Sequence, residues 1–194
     1  MRVVAIVEGD GDVAALPLLL RRLAQWRTPQ LFPDVPTPIR VRRDRFVNRD
    51  DEFRRHLLLA AAKAGADGWV LILLDADDDC AVQASRQLLD RARLVIPHRR
   101  VSVVIAVREY EAWFIAAAES LDGRRGFSWE PGQVVAAEVP RDAKGWLEGR
   151  MSSRSYRETV DQPAFTGAMD LTQAYANSRS FRKLCAEWDR CAAA

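Results

Sequence analysis

Three stretches of the chain, VVAIV at 3–7, WVLILL at 69–74 and VSVVIAV at 101–107, are apolar almost from end to end. A strand without a wet face must be covered on both sides, the condition of a largely parallel sheet between two layers of helices. Stretches of helical character stand between and after these runs. The first, 13–26, carries Leu16, Leu19, Leu20 and Leu23 on one stripe. Pro17 bends that helix if it begins near Asp12; if it begins near Leu16, the preceding residues form a turn. Further helices are expected over 50–64, with Asp50 or Asp51 as cap and Gly65 and Gly68 at its end, over 80–94 before Pro97, and over 109–121 up to Gly123. The segment 27–38 holds four prolines and reads as a loop, and 39–43 reads as a short strand.

Beyond residue 123 glycine, serine and proline become common, and helices are expected at 133–138, 141–149, 168–176 and 178–192. The expected organisation is an α/β core over 1–123 and a mostly helical C-terminal extension over 124–194 packed on it. A chain of 194 residues, 48% apolar, suits this size. Three cysteines without a CxxC argue against a disulfide scaffold or a zinc site, and a cytoplasmic setting is expected. The first strand begins at residue 2 with no signal peptide before it, and no apolar run is long enough to cross a bilayer, so no membrane is expected.

Two of the strands run straight into acid: VVAIVEGDGD at 3–12 and VLILLDADDD at 70–79. All strands of a parallel sheet end along one edge, where loops converge on a crevice. Glu8, Asp75, Asp77, Asp78 and Asp79 leave the sheet there, and Glu109 and Glu111 follow the last strand at the same edge. Gathered carboxylates repel one another unless something positive sits among them. Hard oxygen ligands favour Mg²⁺ or Mn²⁺, which orient and acidify water in phosphoryl chemistry. If strand geometry persists past Asp75, Asp75 and Asp77 point the same way and Asp78 elsewhere. Asp78 and Asp79 read first as caps or solvated turn residues. Gly9 reads as relief of crowding at the turn after Glu8, through unusual dihedrals.

VEGDGD together with LLDADDD resembles the Toprim fold of topoisomerases, primases and nucleases of the overcoming-lysogenization-defect type. The resemblance implies a Rossmann-like sheet in which Glu8 matches the family glutamate and Asp75 and Asp77 its Asp-x-Asp pair, together binding metal. In the nucleases a second acid lies four residues after the first, which gives Asp12, and a lysine lies beyond the acids, for which Lys144 is the candidate. Asp12, Glu109 and Glu111 then serve a second ion. Most of the chain resembles small bacterial Toprim-like proteins of the DUF4276 family, on VEGDGDVAALPLLLRR, LILLDADDDC, VREYEAWFIA and YRETVDQPAFTGAMDLTQAYANSRSFRKL. That likeness implies a nucleic-acid substrate, DNA or RNA, an anti-phage setting and an ATPase partner; a homo-oligomer is compatible with it. Topoisomerases add a catalytic tyrosine, and nothing marks Tyr110, Tyr156 or Tyr175 as one.

The expected activity is therefore Mg²⁺- or Mn²⁺-dependent phosphodiester hydrolysis, with Lys144 or Arg108 steadying the growing charge. A non-catalytic accessory protein of an ATPase-containing system is the alternative. A haloacid-dehalogenase-like phosphatase would also use Asp-x-Asp, with Asp75 as nucleophile, but it leaves Glu8 unexplained. Arginine greatly outnumbers lysine. The basic stretch IRVRRDRFVNR at 39–49 reads either as a grip on nucleic-acid backbone or as a solvated edge. Arg179, Arg182 and Lys183 extend the same question to the tail. Trp113 and Phe114 read as core before they read as a stacking platform.

Overall fold

The computed structural model describes residues 1–134, 136–152 and 155–193. Among them, β1 (Val3–Val7), β2 (Ile39–Arg40), β3 (Trp69–Asp75) and β4 (Arg100–Ala106) form one all-parallel sheet in the order β2-β1-β3-β4. Register is set by Ile6 against Ile72 and Asp75 against Ala106. Successive side chains serve two cores, as period-two alternation requires. Val3, Ala5, Val7, Leu71, Leu73 and Val104 face one; Val4, Ile6, Val70, Ile72, Leu74 and Val103 face the other.

Helices cover both faces. On the first lie α1 (Asp10–Arg27) and the C-terminal helices; on the second lie α2 (Arg43–Asn48), α3 (Asp50–Ala64) and α4 (Ala81–Val95). The structure is thus an α/β fold with a parallel sheet flanked by helices and a helical C-terminal region. No helix among the described residues is long and apolar enough to cross a membrane.

Several expected elements shift. α1 begins at Asp10, so Pro17 lies inside it. The strand expected over 39–43 is only two residues long, because Arg43–Asn48 turns into α2 and buries Phe46 against Phe53. α3 starts after Arg49, and Asp50, Asp51 and Glu52 sit in its first turn rather than capping it. There the carboxylates still favour the positive helix end. The helix expected over 109–121 is a short α5 (Ala112–Ala116) followed by a 3₁₀ turn over Ala118–Leu121.

In the C-terminal region, residue 135 of the helix expected at 133–138 lies outside the described residues, and its described neighbours are not helical. α6 (Ala143–Glu148) falls inside the expected 141–149. The expected helix at 168–176 is α8 (Leu171–Asn177), capped by Asp170 accepting from the backbone N–H groups of Thr172 and Gln173, and before it stands a helix that was not expected, α7 (Glu158–Ala168). α9 (Arg179–Ala192) is capped by Ser178 and packs beside β4. Its Glu187 accepts a hydrogen bond from the buried Ser102 hydroxyl on β4 at 2.7 Å.

Candidate functional site

The sheet edge places the acids in two groups. The inner group comes from three strand ends and the start of α1. Glu8 follows β1, Asp12 lies in the first turn of α1, Asp75 ends β3, and Glu111 follows β4. Glu8, Asp75 and Glu111 each feel the charge of Asp12. Asp75 is pushed well above the ordinary carboxylate range by burial and then by Asp12, Glu111 and Glu8, with Lys144 pulling it back. Burial raises Glu8 too, against the pull of Arg43. Asp12, 7% exposed, is raised by burial despite bonds from Gly9 and Gln162. Burial raises Glu111, 1% exposed, to about 7, with Lys144 opposing.

Local structure fixes these side chains. The Tyr110 backbone N–H donates to Asp75 Oδ1 at 2.9 Å. Asp12 reaches back one turn to accept from Gly9 N–H at 2.9 Å, and its other oxygen accepts from Gln162 Nε2 at 2.6 Å. Glu111 accepts from the Tyr156 hydroxyl at 3.0 Å. One oxygen of Glu8, Oε2, is buried without a hydrogen-bond partner.

Gly9 does not adopt unusual dihedrals: its φ of −90° and ψ of 156° are ordinary extended backbone. The glycine that matters sterically is Gly11. A Cβ there would stand 1.8 Å from Gln162 Oε1 and 3.1 Å from Glu158 Cβ, so α7 reaches this turn only because residue 11 lacks a side chain.

Lys144 is carried by α6 to the inner group. Its Nζ lies 2.9 Å from Glu158 Oε1 and 3.9 Å from Glu109 Oε1, while its backbone N–H donates to Glu109 Oε2 at 3.1 Å. Burial works against its charge, but Glu111, Glu158 and Glu109 raise its pKa above the ordinary lysine value. The cation that the carboxylates require is therefore partly supplied by the protein itself.

The outer group behaves differently. β3 ends at Asp75 and Asp77 takes a left-handed φ of 49°, so strand alternation does not continue. The Asp77 carboxylate is solvent-exposed, 3.7 Å from Arg43 Nη1. Asp79 pairs with Arg43, and Asp78 pairs with Arg108 at 2.7 Å and Arg141 at 3.4 Å. Arg43 also donates to the Asp75 carbonyl at 3.1 Å, tying the outer turn to the end of β3. Arg108, at φ 67°, spans the Asp77 carbonyl and Asp78, and its Nε is buried without a partner.

The donors are all oxygen, one is orphaned in the interior, and the inner carboxylates raise one another, so the chemistry suits a hard divalent cation. Among the described residues, however, no group of three or more His, Cys, Asp or Glu side chains is arranged to hold a metal ion. Both Asp12 oxygens accept hydrogen bonds, from Gly9 and Gln162, and Glu111 accepts one from Tyr156.

Some residues with weight here carry no motif. Tyr156, Glu158 and Gln162 lie in a tail segment whose signal was the polar pair Glu158 and Gln162 at helical i, i+4 spacing. Trp113 and Phe114 are fully buried and offer no stacking surface. Tyr110 is buried with its hydroxyl on Thr166 Oγ1 at 3.1 Å. Arg179 and Lys183 pair with Glu138 and Glu187.

A family model described as a domain of unknown function, DUF4276, matches residues 7–188. No curated protein and no solved structure matches the chain.

Proposed function

The chain belongs to the DUF4276 family, and we propose that it is a Toprim-like phosphodiesterase that cleaves nucleic acid with Mg²⁺ or Mn²⁺. The observation that carries this reading is the gathering of Glu8, Asp12, Asp75 and Glu111 at one sheet edge, with Asp12 and Glu111 buried and one Glu8 oxygen buried without a partner. Burying like charges is costly, and structural carboxylates would pair with arginine instead, as Asp78 and Asp79 do.

Glu8, Asp75 and Asp12 are the residues that would hold the ion, with Glu111 and the more exposed Asp77 as further donors. When bound, a divalent ion there orients a water and makes it more acidic for attack on phosphorus. The Tyr156 hydroxyl, donating to Glu111 at 3.0 Å, holds that carboxylate in place. Lys144 keeps its charge and offers it to phosphoryl oxygens. Arg108, paired with Asp78, adds a second cation at the rim.

A second reading, an accessory protein of an ATPase-containing defence system, is favoured by one observation: among the described residues no three acids are arranged to hold a metal ion. The phosphatase reading gains little, because it gives no role to Glu8, one of whose oxygens is buried without a partner.

Cleavage of single-stranded DNA, duplex DNA and RNA with Mn²⁺ tests the proposal. Activity should appear with the parent protein and vanish in Asp75→Asn and Lys144→Met. Cleavage unchanged in Asp75→Asn would mark it as a contaminant's. Metal binding without cleavage of any substrate would favour the accessory reading.

A further inference from the structure

Next to the acids, on the β2 side, a cavity of about 200 Å³ is lined by Arg40, Arg42, Arg45 and Arg55, with Glu52 and His56. That is room for about half a dozen waters at their liquid volume, enough for a phosphate group and its shell. The charges in it do not cancel. Glu52 is shared by Arg55 at 2.8 Å and His56 at 3.6 Å, and Arg40 is held by Asp10 at 3.1 Å. Neither Arg42 nor Arg45 has a carboxylate partner among the described residues.

A larger groove between α4 and α9, about 990 Å³, also reaches the acidic turn, but its lining carries five carboxylates against five cations. A polyanion gains little there. The β2 cavity is also joined directly to the site. Arg40 Nε reaches the Glu8 carbonyl at 3.3 Å, and Arg43, in the same segment, reaches the Asp75 carbonyl at 3.1 Å. The segment 40–45 thus touches the acid cluster and presents uncompensated guanidinium groups beside it. Arginine binds phosphate oxygens in planar, two-pronged fashion. A phosphodiester chain approaching a carboxylate cluster needs such a foothold against repulsion.

We propose that this cavity is a phosphate subsite that grips a nucleic-acid backbone beside the bond to be cut. The assignment rests on the phosphodiesterase reading for its purpose, but its binding can be measured without metal.

The experiment is fluorescence anisotropy of labelled single-stranded DNA, duplex DNA and RNA in EDTA, across a salt series. Three proteins are compared: the parent, Arg42→Ala/Arg45→Ala, and Arg86→Ala/Arg93→Ala from the larger groove. All four arginines are exposed, and equal urea midpoints confirm that the variants fold. The parent should bind at least one substrate. Arg42→Ala/Arg45→Ala should weaken it at least tenfold and flatten log K against log salt by about 1.4 for a single strand or about 1.8 for duplex, two phosphate contacts. Arg86→Ala/Arg93→Ala should bind like the parent. No binding by the parent, an unchanged Arg42→Ala/Arg45→Ala, or equal losses in both variants would overturn the subsite. Inorganic phosphate should compete no better than sodium chloride of equal ionic strength; stronger competition would make this a site for free phosphate and overturn the backbone assignment. Binding through Arg42 and Arg45 without cleavage by the parent would sink the phosphodiesterase reading alone. Cleavage with binding indifferent to Arg42 and Arg45 would sink the subsite alone.

Discussion

Gln162 Nε2 donates to Asp12 Oδ1 at 2.6 Å, joining positions 150 residues apart in the chain. The bond brings the C-terminal region into the acid cluster, and Gly11 makes room for it. Gly11→Ala should destabilise the protein by about 1–3 kcal/mol through overpacking. In a Gln162→Ala background the same change should cost less than half as much, because the obstructing oxygen is gone. A double-mutant cycle from urea denaturation measures the coupling. Additive losses would show that the two residues do not meet.

The cluster also sets a pH dependence. Folded Glu111 holds its proton up to about 7, against 4.5 for the unmodified side chain. Between those values the folded state binds more protons than the unfolded one, so the metal-free protein loses stability as pH rises through that window. Glu111 alone accounts for about 3 kcal/mol. Glu8, Asp12 and Asp75 act in the same direction. Glu111→Gln should flatten the profile of urea midpoint against pH in EDTA. An unchanged slope would place the carboxylate outside the cluster.

The opposite sign is expected at the far end of the sheet. Glu187 is drawn down to about 2; burial opposes this, but bonds from Lys183, Ser102 and Arg190 prevail. Its contribution is present above the unfolded value of 4.5 and disappears as pH falls through about 2. Glu187→Gln should therefore cost about 2 kcal/mol near neutrality and much less in strong acid. A loss of equal size at both pH values would assign the residue a packing role only.

The three apolar strands and α3 were legible to within a residue or so, because continuous Val, Ile and Leu runs and flanking glycines leave few alternatives. Two features of the site were not. Residues 39–43 read as a strand, yet burying Phe46 against Phe53 curls the chain into α2 from Arg43, and Arg42 and Arg45 come to line a cavity. α7 contains Pro163 and Gly167, which argue locally against a helix; packing of Phe165 in the core overrides them. Asp75 and Glu8 could be placed at one edge from strand order alone. That Asp77 turns outward to Arg43 depends on a left-handed residue that no spacing announces.

Calorimetric titration of Mn²⁺ into the parent protein and into Asp75→Asn near neutral pH tests the central claim most directly. The parent should bind the ion, and Asp75→Asn should bind at least tenfold more weakly while keeping or gaining stability in EDTA, since it removes a buried like charge. Absence of binding by the parent, or equal affinity in Asp75→Asn, would show that these carboxylates do not gather around a cation.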